Sequence, residues 1–401
     1  MEKLRIIIGG FIGLYPTGGV AWDYIQYPLG LHLLGHDVYY IEDTMQYSKY
    51  QLPTEKWDDA TQSITYLKKT MELFGLGNRW AYRDIGSGVC YGLPIDKVEE
   101  ICNTADIFIN VSAATFLREE YLRIPKRVLI DSDPMFTQVQ DWDDADPRRS
   151  HDNTKDRYRW YNYHFTFGEN IGQPDCLIPT LELQWHTTRQ PVCLDYWKEI
   201  NMSNSKLKLF TTVMNWSART PMIYQDQTWG QKNVELLKFI SIPAHFREAE
   251  FQVAMAMPQK GDQDEDIQAI KNAGWKVSYA NEIVDTATAY QHFIAASSAE
   301  FSVAKEAYVK SRSGWFSCRS ACYLAAGKPV VTQNTGWSTY IESGKGLFAF
   351  DDFSSGIEAI KEVVGNFSSH SRAARLIAQE YFDSNKVLKR LLETVAVNQD
   401  Q

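Results

Sequence analysis

The chain has 401 residues, more than one hydrophobic core normally supports, and its length fits two α/β domains of about 200 residues each. It contains 44% hydrophobic and 23% charged residues, carries a net charge of −9 and shows no run of Lys and Arg, which argues against a nucleic-acid partner or a polybasic membrane anchor. No segment approaches a membrane span, and the six cysteines form no C-x-x-C pair. We therefore expect a reduced, cytoplasmic protein without structural zinc or disulfides.

The first part of the sequence predicts a β-α-β unit. A buried strand at residues 4–8 is followed by a glycine-dense loop at 9–19, a helix at 20–34 and a second strand at 38–41. This loop would lie at the carboxyl edge of a parallel sheet. Glu42-Asp43 follows the second strand, as in dinucleotide-binding domains, but the glycines do not match G-x-G-x-x-G, which argues against a dehydrogenase.

Candidate acidic residues follow a later strand. Residues 107–111 and 128–130 are predicted strands, and Asp131-Ser132-Asp133-Pro134 comes directly after the second of them. Two carboxylates would then lie at the carboxyl end of a strand, although Asp and Ser also close turns and cap helices there. Residues 172–191 contain three prolines and little periodicity, and we interpret them as the interdomain linker.

Alternating strands and helices start again near residue 207 and predict a second parallel sheet. Residues 300–336 are its most informative stretch. A short strand is followed by a break at Ser313-Gly314, by Ser317 as the N-cap of a helix at 318–326, and by a buried strand at 330–332.

A loop that enters a helix N-terminus at this edge is a candidate phosphate site, because its free N–H groups and the helix dipole favour anions. Arg319 in the first turn would add charge. Trp315 is predicted to lie at the loop tip, and a second polar loop, Gln333-Asn334-Thr335-Gly336, leaves the next strand at the same end. The alternative is an ordinary β-α-β unit in which glycine and serine serve the loop geometry alone.

The domain pattern and several motifs resemble GT-B glycosyltransferases. Residues 16–41 resemble the G-G-V, helix, G-H-x-V, strand opening of these enzymes, and residues 325–331 resemble their A-x-G-x-P-V-V element. Over nearly its full length the chain resembles a bacterial group of glycosyltransferase-like proteins. The shared motifs are G-G-V-x-W-D-Y at 18–24, D-x-D-P-x-F-T-Q at 131–138, H-F-T-F-G-E-N at 164–170 and S-G-W-F-S-x-R-S-A-x-Y-L-A-x-G-K-P-V-V at 313–331.

This resemblance implies an α/β protein of the GT-B class, with two Rossmann-like domains whose parallel sheets face a cleft. Residues 1–190 would form the acceptor-side domain, 191–366 the nucleotide-sugar-binding domain, and 367–401 a helix that crosses back to the first domain. The implied activity is hexosyl transfer from a nucleotide-diphosphate-sugar to an acceptor, without a metal or other cofactor. A small molecule or a glycan is favoured over a protein as acceptor.

The resemblance also implies roles for individual residues. The predicted donor-binding residues are Gly18, Gly19, Lys232, Glu306, Ser313, Gly314, Trp315, Ser317, Arg319, Asn334, Thr335 and Gly336. The acceptor must lose a proton, so a base is needed on the acceptor side. Asp133 is the first candidate for this base, and Asp23, one turn into the first helix, is the second.

The sequence departs from the usual catalytic sets of these enzymes. The two glutamate positions of retaining enzymes hold Gly314 and Cys322, and the histidine position of inverting enzymes holds Gly19-Val20. The stereochemical course therefore stays open. So do two other functions, a sugar-nucleotide epimerase of the same fold and a non-catalytic nucleotide-sugar-binding protein.

Overall fold

The computed structural model describes residues 2–47, 59–139, 158–197, 208–217, 221–256 and 264–397, and the chain divides into two compact units. The first unit comprises Met1–Phe167, Thr180–Cys193 and Ser384–Gln401, and the second comprises Gly168–Pro179 and Leu194–Asp383. The chain changes unit four times, so this division differs from the predicted boundaries at 190 and 366. The segment interpreted as the linker is divided between both units.

The first unit is built on one sheet. Its strands are β1 (Arg5–Gly9), β2 (Asp37–Glu42), β3 (Trp80–Arg83), β4 (Cys90–Gly92), β5 (Ile107–Val111), β6 (Lys126–Asp131), β7 (Tyr163–Thr166) and β8 (Trp185–Thr187). Among the described residues they form an eight-stranded sheet in the order β4-β3-β2-β1-β5-β6-β7-β8. All neighbours pair in parallel except β3 and β4. Central strands such as β1 and β5 are almost entirely apolar and buried, as strands covered on both faces are.

The helices of this part of the chain are α1 (Gly18–Leu33), α2 (Thr61–Leu73), α3 (Ile95–Thr104), α4 (Glu119–Leu122) and α5 (Phe136–Val139). The predicted strand, loop, helix and strand at the start of the sequence are confirmed as β1, the loop, α1 and β2. Pairing of β1 with β2 brings the end of β2 beside the loop that precedes α1.

The second unit contains a second parallel sheet. Its strands are β9 (Lys208–Asn215), β10 (Met222–Tyr224), β11 (Gln227–Trp229), β12 (Ala249–Ala256), β13 (Lys276–Tyr279), β14 (Ala299–Ser302), β15 (Val330–Gln333) and β16 (Leu347–Phe350). In the described residues, six of them form a sheet in the order β13-β12-β9-β14-β15-β16, while β10 and β11 form a separate antiparallel hairpin. Aromatic rings fill the core of the second unit, where Phe301 stacks on Phe350 with centroids 5.1 Å apart.

The helices that follow are α6 (Lys232–Leu237), α7 (Glu265–Asn272), α8 (Ala280–Ile283), α9 (Ala287–Ala296), α10 (Glu306–Lys310), α11 (Cys318–Ala325), α12 (Phe353–Gly365), α13 (Phe367–Tyr381) and α14 (Ser384–Val397). The helix expected within 367–401 is interrupted at Phe382-Asp383, and α13 belongs to the second unit whereas α14 belongs to the first. Leu376 of α13 is 63% exposed. No helix in the described ranges is long and apolar enough to cross a membrane.

Within the first unit, α14 packs against α1. Its buried apolar side chains are Leu388, Leu391, Leu392 and Val395. The Leu388 side chain occupies the space that a side chain at Gly30 of α1 would need, since a Cβ added there would lie 2.5 Å from Leu388 Cδ1. This glycine therefore permits the close approach of the two helices.

Candidate functional site

Two predicted donor loops of the second unit are joined directly. The first runs from the end of α10 to the start of α11, and the second follows β15. The backbone N–H of Gly314 donates to the Thr335 carbonyl oxygen at 2.8 Å, and Thr335 Oγ1 donates to the Trp315 carbonyl oxygen at 2.6 Å. Asn334 Oδ1 accepts from the backbone N–H of Gly336 at 3.0 Å, which closes the second loop. The structure thus brings residues 313–315 together with residues 334–336.

Asn170 holds both loops. Its backbone N–H donates to the Ser313 carbonyl oxygen at 3.1 Å, its Nδ2 donates to the Arg312 carbonyl oxygen at 2.8 Å, and its Oδ1 accepts from the Tyr340 hydroxyl at 2.7 Å. All of these residues belong to the second unit. The sequence motif H-F-T-F-G-E-N was the only signal for this residue, and we did not predict its role.

The same residue explains the two loop glycines. Gly314 has φ +76 and Gly336 has φ +99, in the region that favours glycine. A Cβ on Gly314 would lie 2.6 Å from the Asn170 backbone nitrogen, and a Cβ on Gly336 would collide with Asn170 Nδ2. In the structure the space beside both glycines is taken by Asn170, so the glycines serve the packing of the loops. Their assignment to donor binding stays a prediction.

Gly314→Ala should therefore cost more stability than the left-handed backbone conformation alone. Gly75→Ala is the matched control, because Gly75 has φ +73 and no atom within 4 Å of an added Cβ. We expect the control to lose about 1–2 kcal/mol of unfolding free energy and Gly314→Ala to lose at least about 2 kcal/mol more, from the clash with the Asn170 backbone. Urea unfolding of both variants measures the difference. Equal losses would contradict the assigned packing.

The aromatic residues of the first loop are buried. Trp315 is only 9% exposed, and its ring packs on Tyr308 with centroids 4.5 Å apart. Phe316 stacks on Phe382 at 5.1 Å. The predicted position of Trp315 at the loop tip is therefore wrong, because both rings contribute to packing within the unit. Its assignment to donor binding stays a prediction.

Arg319, in the first turn of α11, forms a buried ion pair. Its Nε lies 2.5 Å from Glu300 Oε1, and its Nη1 donates to the Val213 carbonyl oxygen at 2.6 Å. The side chains of Arg319 and Glu300 are 8% and 0% exposed. Burial lowers the pKa of Arg319, but the Glu300 carboxylate together with Tyr290 and Tyr323 outweighs burial, and the net pKa is raised. The guanidinium thus joins α11 to β14 and β9, and direct contact with a diphosphate stays a prediction.

Three further predicted residues lie at helix starts of the same unit. Ser317 is the N-cap residue of α11, although its side chain makes no capping hydrogen bond. Lys232 is the first residue of α6, and Glu306 is the first residue of α10. Glu306 Oε2 accepts from the backbone N–H of Gly230 at 2.8 Å. This contact ties Glu306 to the loop that precedes α6, and its assignment to donor binding stays a prediction.

In the first unit, Gly18 and Gly19 are the first residues of α1. Farther along this helix, the hydroxyl of Tyr24 donates to Ser112 Oγ at 3.0 Å, and Ser112 Oγ lies 2.5 Å from Ser132 Oγ. This row of hydroxyls follows the ends of β5 and β6. The candidate bases are its sequence neighbours, since Asp23 precedes Tyr24 and Asp133 follows Ser132.

Backbone strain marks the same ends of β5 and β6. Ser112, Ala113 and Met135 have φ of 59, 50 and 73, which non-glycine residues rarely adopt. Such conformations persist where the surrounding structure imposes them, and they cluster at functional sites. The ends of β5 and β6 are therefore our candidate for the acceptor side of the site.

The two carboxylates after β6 have different surroundings. Asp131 is fully buried and accepts hydrogen bonds from Thr137 Oγ1 at 2.6 Å, Gln138 Nε2 at 2.8 Å and Thr166 Oγ1 at 2.8 Å. Burial raises the pKa of Asp131, and these hydrogen bonds oppose it. Asp133 is half-buried, and its backbone N–H donates a hydrogen bond to Asp131 Oδ1. Among the described residues, no group of three or more His, Cys, Asp or Glu is placed to hold a metal ion.

The fold is that of GT-B glycosyltransferases. No protein-family model and no curated protein matches the sequence. Similar solved structures include an alpha-glucosyltransferase in complex with UDP and a 13-mer DNA containing a central A:G mismatch, with TM-score 0.57, 14% identity and coverage of 98% of this chain and 100% of that one. The predicted fold class, α/β with parallel sheets, is thereby confirmed.

Two further structures show the same likeness. A glycosyltransferase from Rickettsia africae ESF-5 has TM-score 0.57 and 13% identity, with all of both chains covered. Anabaena HepE in complex with UDP-glucose has TM-score 0.58 and 11% identity, with 98% of this chain and 100% of that chain covered. At these identities the likeness concerns the fold alone.

Proposed function

We propose that the protein is a glycosyltransferase that transfers a hexosyl group from a nucleotide-diphosphate-sugar to an acceptor hydroxyl. The observation that carries the proposal is the pair of joined loops, residues 313–317 and 334–336. The first loop leads into the N-terminus of α11, and the second follows the parallel strand β15. Ligands of open α/β sheets bind at this edge, and a helix N-terminus favours phosphate. Solved structures of the same fold carry UDP or UDP-glucose, which supports a nucleotide-sugar donor.

In this proposal the second unit binds the donor. Backbone N–H groups at the start of α11, residues 317–319, would stabilise the negative charge on the leaving diphosphate. Lys232 and the loop Asn334-Thr335-Gly336 are the other proposed contacts. Arg319 would fix α11 on the sheet through Glu300, and its direct contact with the diphosphate stays a prediction.

The first unit would supply the base. Asp133 is the first candidate and Asp23 the second, since each adjoins the hydroxyl row of Tyr24, Ser112 and Ser132. The base takes the proton of the acceptor hydroxyl, whose oxygen forms a bond to the anomeric carbon while the bond from that carbon to the diphosphate oxygen breaks. A small molecule or a glycan is the proposed acceptor.

Incubating the full chain with UDP-glucose and other nucleoside-diphosphate-glucoses, without acceptor, tests the proposal. Slow release of nucleoside diphosphate and free glucose, seen by chromatography and NMR, is expected because water replaces the acceptor. Asp133→Asn should lower this rate about 100-fold or more if Asp133 is the base. A new sugar isomer would instead indicate an epimerase, and binding in calorimetry without any product would indicate a binding protein.

The reaction is also expected to need no divalent metal. Asp131-Ser132-Asp133 is the Asp-Ser-Asp sequence that could suggest a metal site. Both oxygen atoms of Asp131 already accept hydrogen bonds from side chains of the same unit. Helix N–H groups would neutralise the diphosphate in place of a cation. Turnover should be unchanged by excess EDTA. Loss of turnover with EDTA and its recovery with Mn²⁺ would show that this assignment of roles is wrong.

A further inference from the structure

The loop that precedes α1 is held by the last residues of β2 through three consecutive backbone N–H groups. The N–H of Ile12 donates to the Tyr40 hydroxyl oxygen at 3.0 Å, and the N–H groups of Gly13 and Leu14 donate to Glu42 Oε2 at 2.8 Å and Oε1 at 2.6 Å. The Tyr40 hydroxyl in turn donates to Glu42 Oε2 at 3.0 Å. One carboxyl group therefore accepts from two loop residues and from the tyrosine that holds the third.

These contacts lie in the interior of the first unit. Glu42 and Tyr40 are both 0% exposed. A Cβ on Gly13 would lie 3.0 Å from the Ser63 carbonyl oxygen and 3.2 Å from Tyr82 Cε2, so the loop is also packed tightly against α2 and β3. The three hydrogen bonds described here come to Glu42 from neutral donors, two backbone amides and a phenol, and its carboxylate is buried.

We propose that Glu42 is a positioning residue that sets the shape of the loop before α1, and that its protonation weakens the hold on that loop. A carboxylate accepts with both oxygen atoms, and hydrogen bonds to a charged acceptor are about twice as strong as those to a neutral one. A neutral carboxyl keeps one oxygen for its own proton. The effect on turnover rests on the proposed function, because the loop leads into Gly18 and Gly19 at the start of α1.

The titration of Glu42 falls near neutral pH. Burial raises the pKa of Glu42 from its ordinary 4.5 to about 7, and the hydrogen bonds from Gly13, Leu14 and Tyr40 oppose this rise. The titratable groups around it are Tyr40 on its own strand, Tyr82 on β3 with Asp84 beyond it, and Tyr24 of α1 near Tyr40. The pKa values of Tyr40 and Tyr82 are raised, mainly by burial, so both stay neutral between pH 6 and 8.

Protonation of Glu42 thus has opposite effects on the global stability of the fold and on the local hold on Gly13 and Leu14. The folded chain binds a proton at Glu42 more tightly than the unfolded chain, so its contribution to global stability is full below pH 4.5 and is lost as pH rises through about 7. The hold on Gly13 and Leu14 changes the other way and is strongest above pH 7. A local loosening at lower pH without a loss of global stability is therefore the signature of this residue.

Hydrogen–deuterium exchange on the full chain tests the proposal. Protection factors of the loop peptide, corrected for intrinsic exchange, should be about fivefold higher at pH 8 than at pH 6. In Glu42→Gln this pH difference should vanish. In the control Asp43→Asn it should persist, because the buried Asp43 is paired with Arg118 and Arg83. Equal protection at both pH values in the unmodified chain, or an unchanged pH difference in Glu42→Gln, would overturn the proposal.

A second variant covers the case in which Glu42→Gln fails to fold. Tyr40→Phe removes the acceptor of the Ile12 N–H but leaves both bonds from Gly13 and Leu14 to Glu42. Its Ile12 amide should exchange faster while the pH difference at Gly13 and Leu14 remains. Loss of that pH difference in Tyr40→Phe would overturn the role of Glu42.

UDP release from UDP-glucose separates this proposal from the proposed function. Glu42→Gln should flatten the pH profile between pH 6 and 8 and lower kcat about tenfold. The expected exchange behaviour in a chain without any turnover would support the role of Glu42 in the loop and contradict the glycosyltransferase. Turnover with an unaltered pH profile in Glu42→Gln would contradict the effect on catalysis that we assign to the hold of Glu42 on the loop before α1.

Discussion

A chain ending at Asp383 should lose the fold of the first unit and keep that of the second. The missing helix α14 carries four buried apolar side chains, Leu388, Leu391, Leu392 and Val395. Each contributes about 1.5–3 kcal/mol when buried, or about 6–12 kcal/mol together. A typical domain is stable by only about 5–15 kcal/mol, so the loss is comparable with the whole stability of the unit.

Differential scanning calorimetry should show two transitions in the full chain and loss of the one that belongs to the first unit after truncation. The matched control is a chain ending at Val397, which keeps all of α14 and should melt like the full chain. Leu388→Ala gives a graded test, with an expected loss of about 2–5 kcal/mol. An unchanged first-unit transition after truncation at Asp383 would show that α14 does not stabilise it.

The sequence predicted the α/β class because buried parallel strands and amphipathic helices leave strong periodic signals. The break between α13 and α14 was missed because Tyr381 and Leu388 lie seven residues apart, at helical spacing, although Asp383-Ser384-Asn385 between them are residue types that begin helices. Leu376 and Leu388 fit the same pattern, yet one is 63% exposed and the other is buried against α1. Periodicity shows that a helix has an apolar face, but tertiary packing decides what covers that face. The hairpin β10–β11 was missed because its strands have only three residues each.

For the site, the sequence located the loops but not the partners of their residues. Gly314 correctly indicated an unusual backbone conformation, and nothing local shows that Asn170, far away in the sequence, fills the space beside it. Arg319 was predicted as an anion ligand, and nothing in the local sequence shows that Glu300 is its partner. Glu42 was noticed only through a dinucleotide-binding pattern that does not apply. Pairing between distant residues is set by the fold, which single-sequence patterns do not contain.

Arg319→Met should lower the unfolding free energy of the second unit by about 3–5 kcal/mol, because it leaves Glu300 as an unpaired buried carboxylate. Glu300 Oε2 already has no hydrogen-bond partner among the described residues, so its neighbours offer little compensation. The double variant Arg319→Met with Glu300→Met removes both charges and should recover most of this loss. Arg312→Met is the control, since its pair with Asp175 is half-exposed and should be worth about 0–1 kcal/mol.

Calorimetric titration with UDP then separates a positioning role of Arg319 from a direct one. If Arg319 acts by fixing α11 on β14 and β9, the double variant should regain UDP affinity along with stability. If its guanidinium contacts the diphosphate, the double variant should fold well and still bind about 10-fold or more weakly, the scale of a lost charge-assisted hydrogen bond. We expect the first result, because Nε and Nη1 already bind Glu300 and the Val213 carbonyl oxygen. A stable double variant that fails to bind UDP would restore the direct contact.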